Sequence, residues 1–282
     1  MEAVILALIG LVVAPLLGGL LAGIDRRVTA WMQSRQGPPI MQAFYDVAKL
    51  FGKEPMVVNR WQIFCAWTYL LASALSVALF FAQADLLLIF FVQAAGAVFM
   101  VMGALAAKSP YSQVGAQREL IQILTYEPLL ILVFAGMFMA TGSFNVGTIF
   151  AHPEPLIAKL PLLFIVLTYA LTIKLRKSPF DFSTSHHGHQ ELVKGVTTEY
   201  SGPFFGLVEV AHWYETILVL GVASMFWATN VFWCALLLVG TYFAEILLDN
   251  ATARMTWRWM LKYVWSIGLL MAVVNLIWLH AG

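Results

Sequence analysis

Charge is scarce in this chain: 11% of its 282 residues are Asp, Glu, Lys or Arg, against about 25% in soluble domains. Cysteine is scarcer still. The two present, Cys65 and Cys234, each sit inside an apolar run. Two thiols exclude a four-cysteine cluster site and leave no basis for a disulfide framework. No cofactor is therefore expected on this chain, and any iron–sulfur or nickel chemistry belongs to a partner. Basic residues are also missing ahead of the first apolar run, "AVILALIGLVVAPLLGGLLAGI", while Asp25-Arg26-Arg27 follow it. That order is the reverse of a secretory signal and predicts a retained first helix.

What fills the chain instead is hydrocarbon. Hydrophobic residues make up 61%, and they recur in runs of about twenty, the length that crosses a ~30 Å hydrocarbon core. The expected fold is all-α: a polytopic membrane protein forming a single integral membrane domain over 1–282. Eight spans are expected, at 3–24, 63–82, 86–107, 120–142, 156–174, 205–228, 231–248 and 262–280. In the long first loop, Ile40, Met41, Phe44, Val47, Ala48 and Phe51 share one helical face opposite Gln42, Tyr45, Asp46 and Lys49. This pattern predicts a short amphipathic helix lying on the bilayer surface. A second long loop, 175–204, joins spans 5 and 6.

The basic residues set the topology. Loop 1 carries Arg26, Arg27, Arg35, Lys49, Lys53 and Arg60; loop 3 carries Lys108 and Arg118. Loop 5 carries Lys174, Arg176, Lys177 and Lys194; loop 7 carries Arg254, Arg258 and Lys262. Of 16 lysines and arginines, only Lys159 falls on an even-numbered loop. By the positive-inside rule the odd loops are cytoplasmic and both termini lie outside.

Ionisable groups within spans are costly and mark function. Glu127 lies in span 4, about 12 Å along the helix from Glu119. Glu209, His212 and Glu215 follow one another at three-residue spacing in span 6, an oblique stripe about 120° wide. Glu245 and Asp249 stand one turn apart near the inner end of span 7. On the inferred topology all of them occupy the cytoplasmic half or the centre of the bilayer. Closely spaced carboxylates with raised pKa values can relay protons along such a one-sided path. The plainer readings stay open. Glu209, Glu245 and Asp249 also suit helix-end groups reaching for headgroups, and His212 beside Glu209 also suits a satisfied buried pair.

The stretch "SHHGHQE", Ser185 to Glu191, holds three of the six histidines. His186 and His189 are three apart, and His187 and Glu191 four apart. That spacing suits a metal site, but Gly188 breaks the run and no cysteine is near. A solvated or partner-contacting loop and a proton relay through imidazoles that titrate near neutrality are the other two readings. No metal is assigned.

The surrounding phrase, "SPFDFSTSHHGHQELVKGVTTEYSGPFFG", resembles the loop between helices 5 and 6 of the complex I subunit that borders the quinone chamber. The shared elements are Pro179-Phe180-Asp181, Glu191-Leu192-Val193, Gly195 and Glu199-Tyr200-Ser201-Gly202. "RQGPPIMQAFYDVAKLFGKE" resembles that family's first cytoplasmic loop, and "GAQRELIQILTYEP" the start of its fourth helix. Departures point to a branch. The first loop is compact, "PPIMQ" following Arg35-Gln36-Gly37 directly, and "STSHHGH" stands where the quinone-reducing enzymes carry an acidic run. With Arg118-Glu119 ahead of Glu127-Pro128, the chain looks like the membrane-anchor subunit of energy-converting [NiFe] hydrogenases of the Ech and formate hydrogenlyase type.

The resemblance implies a non-catalytic membrane subunit of an ion-translocating oxidoreductase complex. Implied partners are the hydrogenase large and small subunits and an iron–sulfur subunit on the cytoplasmic face, carrying the nickel–iron centre and the clusters. An antiporter-like subunit would lie alongside in the lipid bilayer; nucleic acid is not expected. Carried over by position, the family's glutamate-rich path comprises Asp181, Glu191, Glu199 and Glu127. Glu209, His212, Glu215, Glu245 and Asp249 join it from topology, and His186, His187 and His189 as a candidate relay at its mouth. Arg35, Asp46, Lys49, Arg118 and Glu119 are candidate contacts to the arm. The alternative is the quinone-chamber subunit of a complex I-like quinone oxidoreductase.

Overall fold

A computed structural model describes residues 1–57, 59–181, 183–184 and 194–281. The expected His186, His187, His189 and Glu191 lie outside the described residues. The described chain is helical: α1 Glu2–Met32, α2 Gln42–Phe51, α3 Arg60–Phe81, α4 Leu86–Leu105, α5 Pro110–Thr141 and α6 Val146–Phe150. Then follow α7 Leu156–Lys159, α8 Pro161–Lys174, α9 Gly202–Ser224, α10 Val231–Ala251, α11 Trp257–Tyr263 and α12 Leu269–Ala281. A π turn, Val264–Gly268, makes α11 and α12 continuous.

Local signals start the helices. Asp85 Oδ1 accepts the Leu87 and Leu88 N–H groups at the head of α4. Asn145 caps α6 through Thr148 N–H, and Asn230 caps α10 through Phe232 N–H. Each supplies an acceptor to donors that have no partner within their own helix. The first loop forms the expected short helix, α2.

Among the described residues seven helices are long and apolar enough to cross a bilayer, so the chain is a multi-pass membrane protein. The expected fifth span, 156–174, departs from that pattern. It is broken at Leu160, whose φ −124° and ψ 44° are not helical, because Pro161 follows. Proline has no N–H to continue the ladder and drives the preceding residue out of the α region. Asn275 on α12, fully buried, repairs the break: its Oδ1 accepts Leu163 N–H at 3.0 Å and its Nδ2 donates to the Lys159 carbonyl at 3.0 Å. What remains, α8, has 14 residues and is about 21 Å long.

Two other ends differ from expectation. α5 begins at Pro110, ten residues before 120, so Arg118 and Glu119 stand inside a helix instead of a loop. α1 runs on to Met32, beyond its apolar run.

Contacts cluster into two units. The first comprises Met1–Ala78, Phe90–Leu120 and Phe182–Ile217; the second Leu79–Ile89, Ile121–Asp181 and Leu218–Gly282. In the first, small residues on α1 admit their neighbours closely. A Cβ added at Gly18 would stand 2.7 Å from the Trp213 main-chain oxygen, and one at Gly23 would stand 1.8 Å from the Ile40 carbonyl oxygen. Tyr214 ties α9 to α1 by donating to the Leu11 carbonyl at 2.7 Å. In the second unit α8 packs on α12, burying Leu163, Val166, Leu167, Ala170 and Leu171.

Candidate functional site

In the first unit the stripe on α9 acquires a partner from α4. Gln93, 6% exposed, donates its amide to Glu215 Oε1, and His212 Nδ1 stands 3.4 Å from Glu215 Oε2. Each carboxylate oxygen thus faces a different polar group, and Gln93 is further held by Ser73 Oγ at 3.4 Å. His212 therefore faces Glu215, not Glu209. Glu209 is half-buried one turn earlier, and no described residue bonds to it. Glu199, also half-buried, stands just ahead of α9 without a described partner.

Glu119 on α5 accepts the Ser183 hydroxyl, and Arg118 lies half-buried beside it. Asp46 on α2 accepts Arg26 Nη1 at 2.7 Å on one oxygen and Gln42 Nε2 at 2.7 Å on the other. Burial raises the Asp46 pKa, but the Arg26 and Gln42 hydrogen bonds and the Arg26 and Lys49 charges outweigh it. The carboxyl sits below its ordinary 3.8. Lys49 is exposed. Arg35 is exposed too, its Nε donating to Gln33 Oε1 at 2.8 Å.

The second unit gathers Glu127, Asp181, Glu245 and Asp249 around the end of α8. Glu245, 2% exposed on α10, has one oxygen, Oε2, without a hydrogen-bond partner. Its electrostatic neighbours are Lys177 and Asp249, and Thr172 on α8 bonds to it. Lys177 is itself 3% exposed, its Nζ 5.2 Å from the centre of the Tyr242 ring. One turn beyond Glu245, Asp249 accepts the Ser178 N–H at 2.8 Å, and Met255 N–H donates to the Pro179 carbonyl at 2.7 Å. These bonds fasten the segment after α8 to α10 and to the approach to α11. Glu127 is half-buried on α5 with Lys174 as its counter-charge, and Lys174 Nζ lies 5.1 Å from the centre of the Tyr126 ring. Asp181 is buried, and Gln122 Nε2 donates to its carbonyl at 2.7 Å.

The second unit therefore contains two acid–lysine sites, Lys174 with Glu127 and Lys177 with Glu245 and Asp249. Both lysines read in the sequence as markers of a cytoplasmic loop; their involvement with membrane carboxylates was not legible there. Gln93 was also missed, although it is the single strongly polar residue in "LLLIFFVQAAGAVFMVMGAL" and that isolation was a signal. A carboxylate flanked by an amide and an imidazole, and carboxylates flanked by lysines, can take up or release a proton when a nearby charge changes.

The family model described as NADH dehydrogenase matches residues 3–280. The chain is similar to a subunit of the NADH-quinone oxidoreductase of Geobacter metallireducens, 27% identical over 90% of this chain and 88% of the relative. It is similar to hydrogenase-4 component C of Escherichia coli, 31% identical over 79% of this chain and 74% of the relative. Its fold is that of a chain in the solved structure of the membrane-bound sulfane sulfur reductase, an archaeal respiratory membrane complex. The TM-score is 0.86 at 23% identity, with 99% of this chain and 100% of that chain covered. The match along nearly the whole chain, together with the loop and helix motifs, makes this protein a member of the NADH dehydrogenase family to which complex I subunit 1 belongs.

Proposed function

We propose that this chain is the membrane-anchor subunit of an energy-converting [NiFe] hydrogenase and couples the redox reaction of its arm to proton or sodium translocation. The observation that carries the coupling role is a pair of polar clusters on apolar helices and at their ends: Gln93–Glu215–His212 in one unit and Lys177–Glu245–Asp249 in the other. The hydrogenase branch is favoured by the 31% identity to hydrogenase-4 component C and by the compact first loop. In this reading α7 and α8 together form an eighth span, and the chain is a single integral membrane domain of a prokaryotic plasma membrane with both termini outside. The nickel–iron centre and iron–sulfur clusters reside in the large, small and iron–sulfur subunits on the cytoplasmic face. An antiporter-like subunit lies beside the chain in the bilayer.

The chain performs no bond chemistry. Electron transfer in the arm changes the charge above loops 1 and 5, near Asp46, Asp181, Glu191, Glu199 and the three loop histidines, with Arg35, Lys49, Arg118 and Glu119 on the docking side. At an effective dielectric of ~20, a unit charge 4 Å away is worth about 4 kcal/mol, or roughly three pKa units. That moves a proton on or off a buried carboxylate. Glu209, His212 and Glu215 continue the path in one unit; Glu127, Glu245 and Asp249 continue it in the other.

Glu127→Gln tests the reading in the assembled complex. Hydrogenase turnover with soluble dyes survives and ion pumping is lost; unchanged pumping removes Glu127 from the path. The quinone-chamber alternative draws on the 27% identity to the quinone oxidoreductase relative over 90% of this chain. Nickel in the co-purifying complex selects the hydrogenase; an NADH-binding subunit in its place selects the quinone enzyme.

A further inference from the structure

A cavity of about 630 Å³ at the end of α1 is lined by Arg27, Val28, Trp31, Arg35, Gln36 and Gly37. The turn that ends α1 builds it. Arg35 N–H returns to the Ala30 carbonyl at 2.9 Å and Ser34 N–H to the Trp31 carbonyl at 3.0 Å, with Ser34 in the left-handed region at φ 54°. This hooked ending folds Arg35 back along the helix. Gly37 completes the return: an added Cβ there would stand 2.9 Å from the Ala30 Cβ and 3.2 Å from the Arg27 Cα. Two guanidinium groups thus face one space.

Their neighbours are already neutralised in part. Arg26 is engaged by Asp46, and Asp25 Oδ1 takes the Thr29 hydroxyl at 3.4 Å. Among the described residues no carboxylate pairs with Arg27 or Arg35, and the one bond of Arg35, from Nε to Gln33, leaves its two terminal nitrogens. Trp31, 76% exposed, stands one turn beyond Arg27 on the same helical face. Backwards along that face run Leu16, Leu20 and Ile24, of which Leu16 is 52% and Ile24 38% exposed. One face of one helix therefore presents, in order, an apolar stripe, a cationic pocket and an indole.

We infer that this is a binding site for an anionic phospholipid, its phosphodiester held by Arg27 and Arg35 and its acyl chains lying on Leu16, Leu20 and Ile24. Two arginines suit a phosphate as bidentate donors, and an exposed tryptophan suits the headgroup level. Basic pockets at the cytoplasmic ends of spans select anionic lipid headgroups. A soluble acidic partner would satisfy the arginines alone, whereas the stripe continues from them into the bilayer. An amphiphile satisfies both. The choice of a cytoplasmic-leaflet lipid rests on the topology proposed above; the cavity does not.

The test uses the whole complex, purified in detergent and delipidated, with native mass spectrometry and thermal melting as readouts. Phosphatidylglycerol is expected to remain bound and to raise the melting midpoint, and phosphatidylcholine to do neither. In Arg27→Gln/Arg35→Gln the affinity for phosphatidylglycerol falls on the order of thirty-fold, the effect of two interfacial cations. Trp31→Ala weakens binding without altering the preference for anionic headgroups, and serves where the double variant fails to assemble. Equal phosphatidylglycerol affinity in wild type and variants overturns the proposal. So does equal protection by inorganic phosphate, which marks a site for a free anion, or a partner subunit cross-linking to cysteine at position 31, which marks a protein interface. The proposed function is tested separately by Glu127→Gln in a complex whose Arg27, Trp31 and Arg35 are intact, so failure here is distinct from failure of that reading.

Discussion

The Tyr200 hydroxyl is buried, and among the described residues it has no hydrogen-bond partner. Burial, and to a lesser degree neighbouring Cys65, hold its phenol above the ordinary value, so it stays neutral at working pH and contributes no charge. An unsatisfied buried hydroxyl costs about 1–3 kcal/mol. Tyr200→Phe is therefore expected to match or exceed the wild-type melting midpoint. Gly103 lies under the same hydroxyl: a Cβ there would stand 2.3 Å from Tyr200 Oη and 2.9 Å from Cys65 Cβ. Gly103→Ala should cost about 1–3 kcal/mol, and Tyr200→Phe should recover part of it while the Cys65 contact persists. Lys177 gives the opposite case. Its ammonium is buried beside Glu245 and Asp249, so Lys177→Met leaves carboxylates uncompensated and lowers the midpoint. Adding Glu245→Gln restores most of the loss, a coupling that a double-mutant cycle on the detergent-solubilised complex measures. At this scale the sequence showed which acids lie within apolar helices but neither how deeply each is buried nor its partners. Gln93 and Glu215 are 122 residues apart, and nothing local in either helix pairs them.

Among the elements, α2 is held by a pH-sensitive contact. Asp46 has a depressed pKa, so its contribution is present above the ordinary value of 3.8 and is lost as pH falls through the folded value. The pair is substantially exposed, at 48% and 40%, and is worth under about 1 kcal/mol. Hydrogen exchange of the α2 amides should quicken slightly in Asp46→Asn at pH 7, and acidification through the folded value, which lies below 3.8, should bring the wild type level with it. Gly23→Ala should loosen the start of the same connection more strongly, since its new Cβ meets the Ile40 carbonyl, a backbone atom that cannot swing aside. The long apolar helices were legible because hydropathy alone specifies them. The break at Leu160 was not, because both sides of it are equally apolar; Pro161 was the signal, and Asn275, which repairs it, is 112 residues from its partner Leu163. The early start of α5 was hidden for the converse reason. "SQVGAQRE" is polar and carries no hydropathy signal, yet it continues the helix that Pro110 opens.

For the whole molecule, the distribution of Lys and Arg makes a sidedness prediction. In a variant lacking Cys65 and Cys234, a cysteine at position 2 or 281 reacts with membrane-impermeant maleimide in intact cells, and one at position 34 reacts only after lysis. Reaction at position 34 in intact cells inverts the topology. Family membership was legible from three ordered motifs, because they carry specific polar residues where lipid-facing helices accept any apolar side chain. The placement of Lys174 and Lys177 was not, since a count of positive charge takes no account of burial. The span that α8 completes bears on energetics in a further way. A membrane potential of 100 mV does about 2.3 kcal/mol of work on each elementary charge that crosses. The break before α8 leaves that span at its full length of 156–174, so a proton shifted about 7 Å along it works against roughly a quarter of the potential. In the proposed orientation Lys174 and Glu127 stand on such a path, and turnover of the coupled complex should slow as the potential rises.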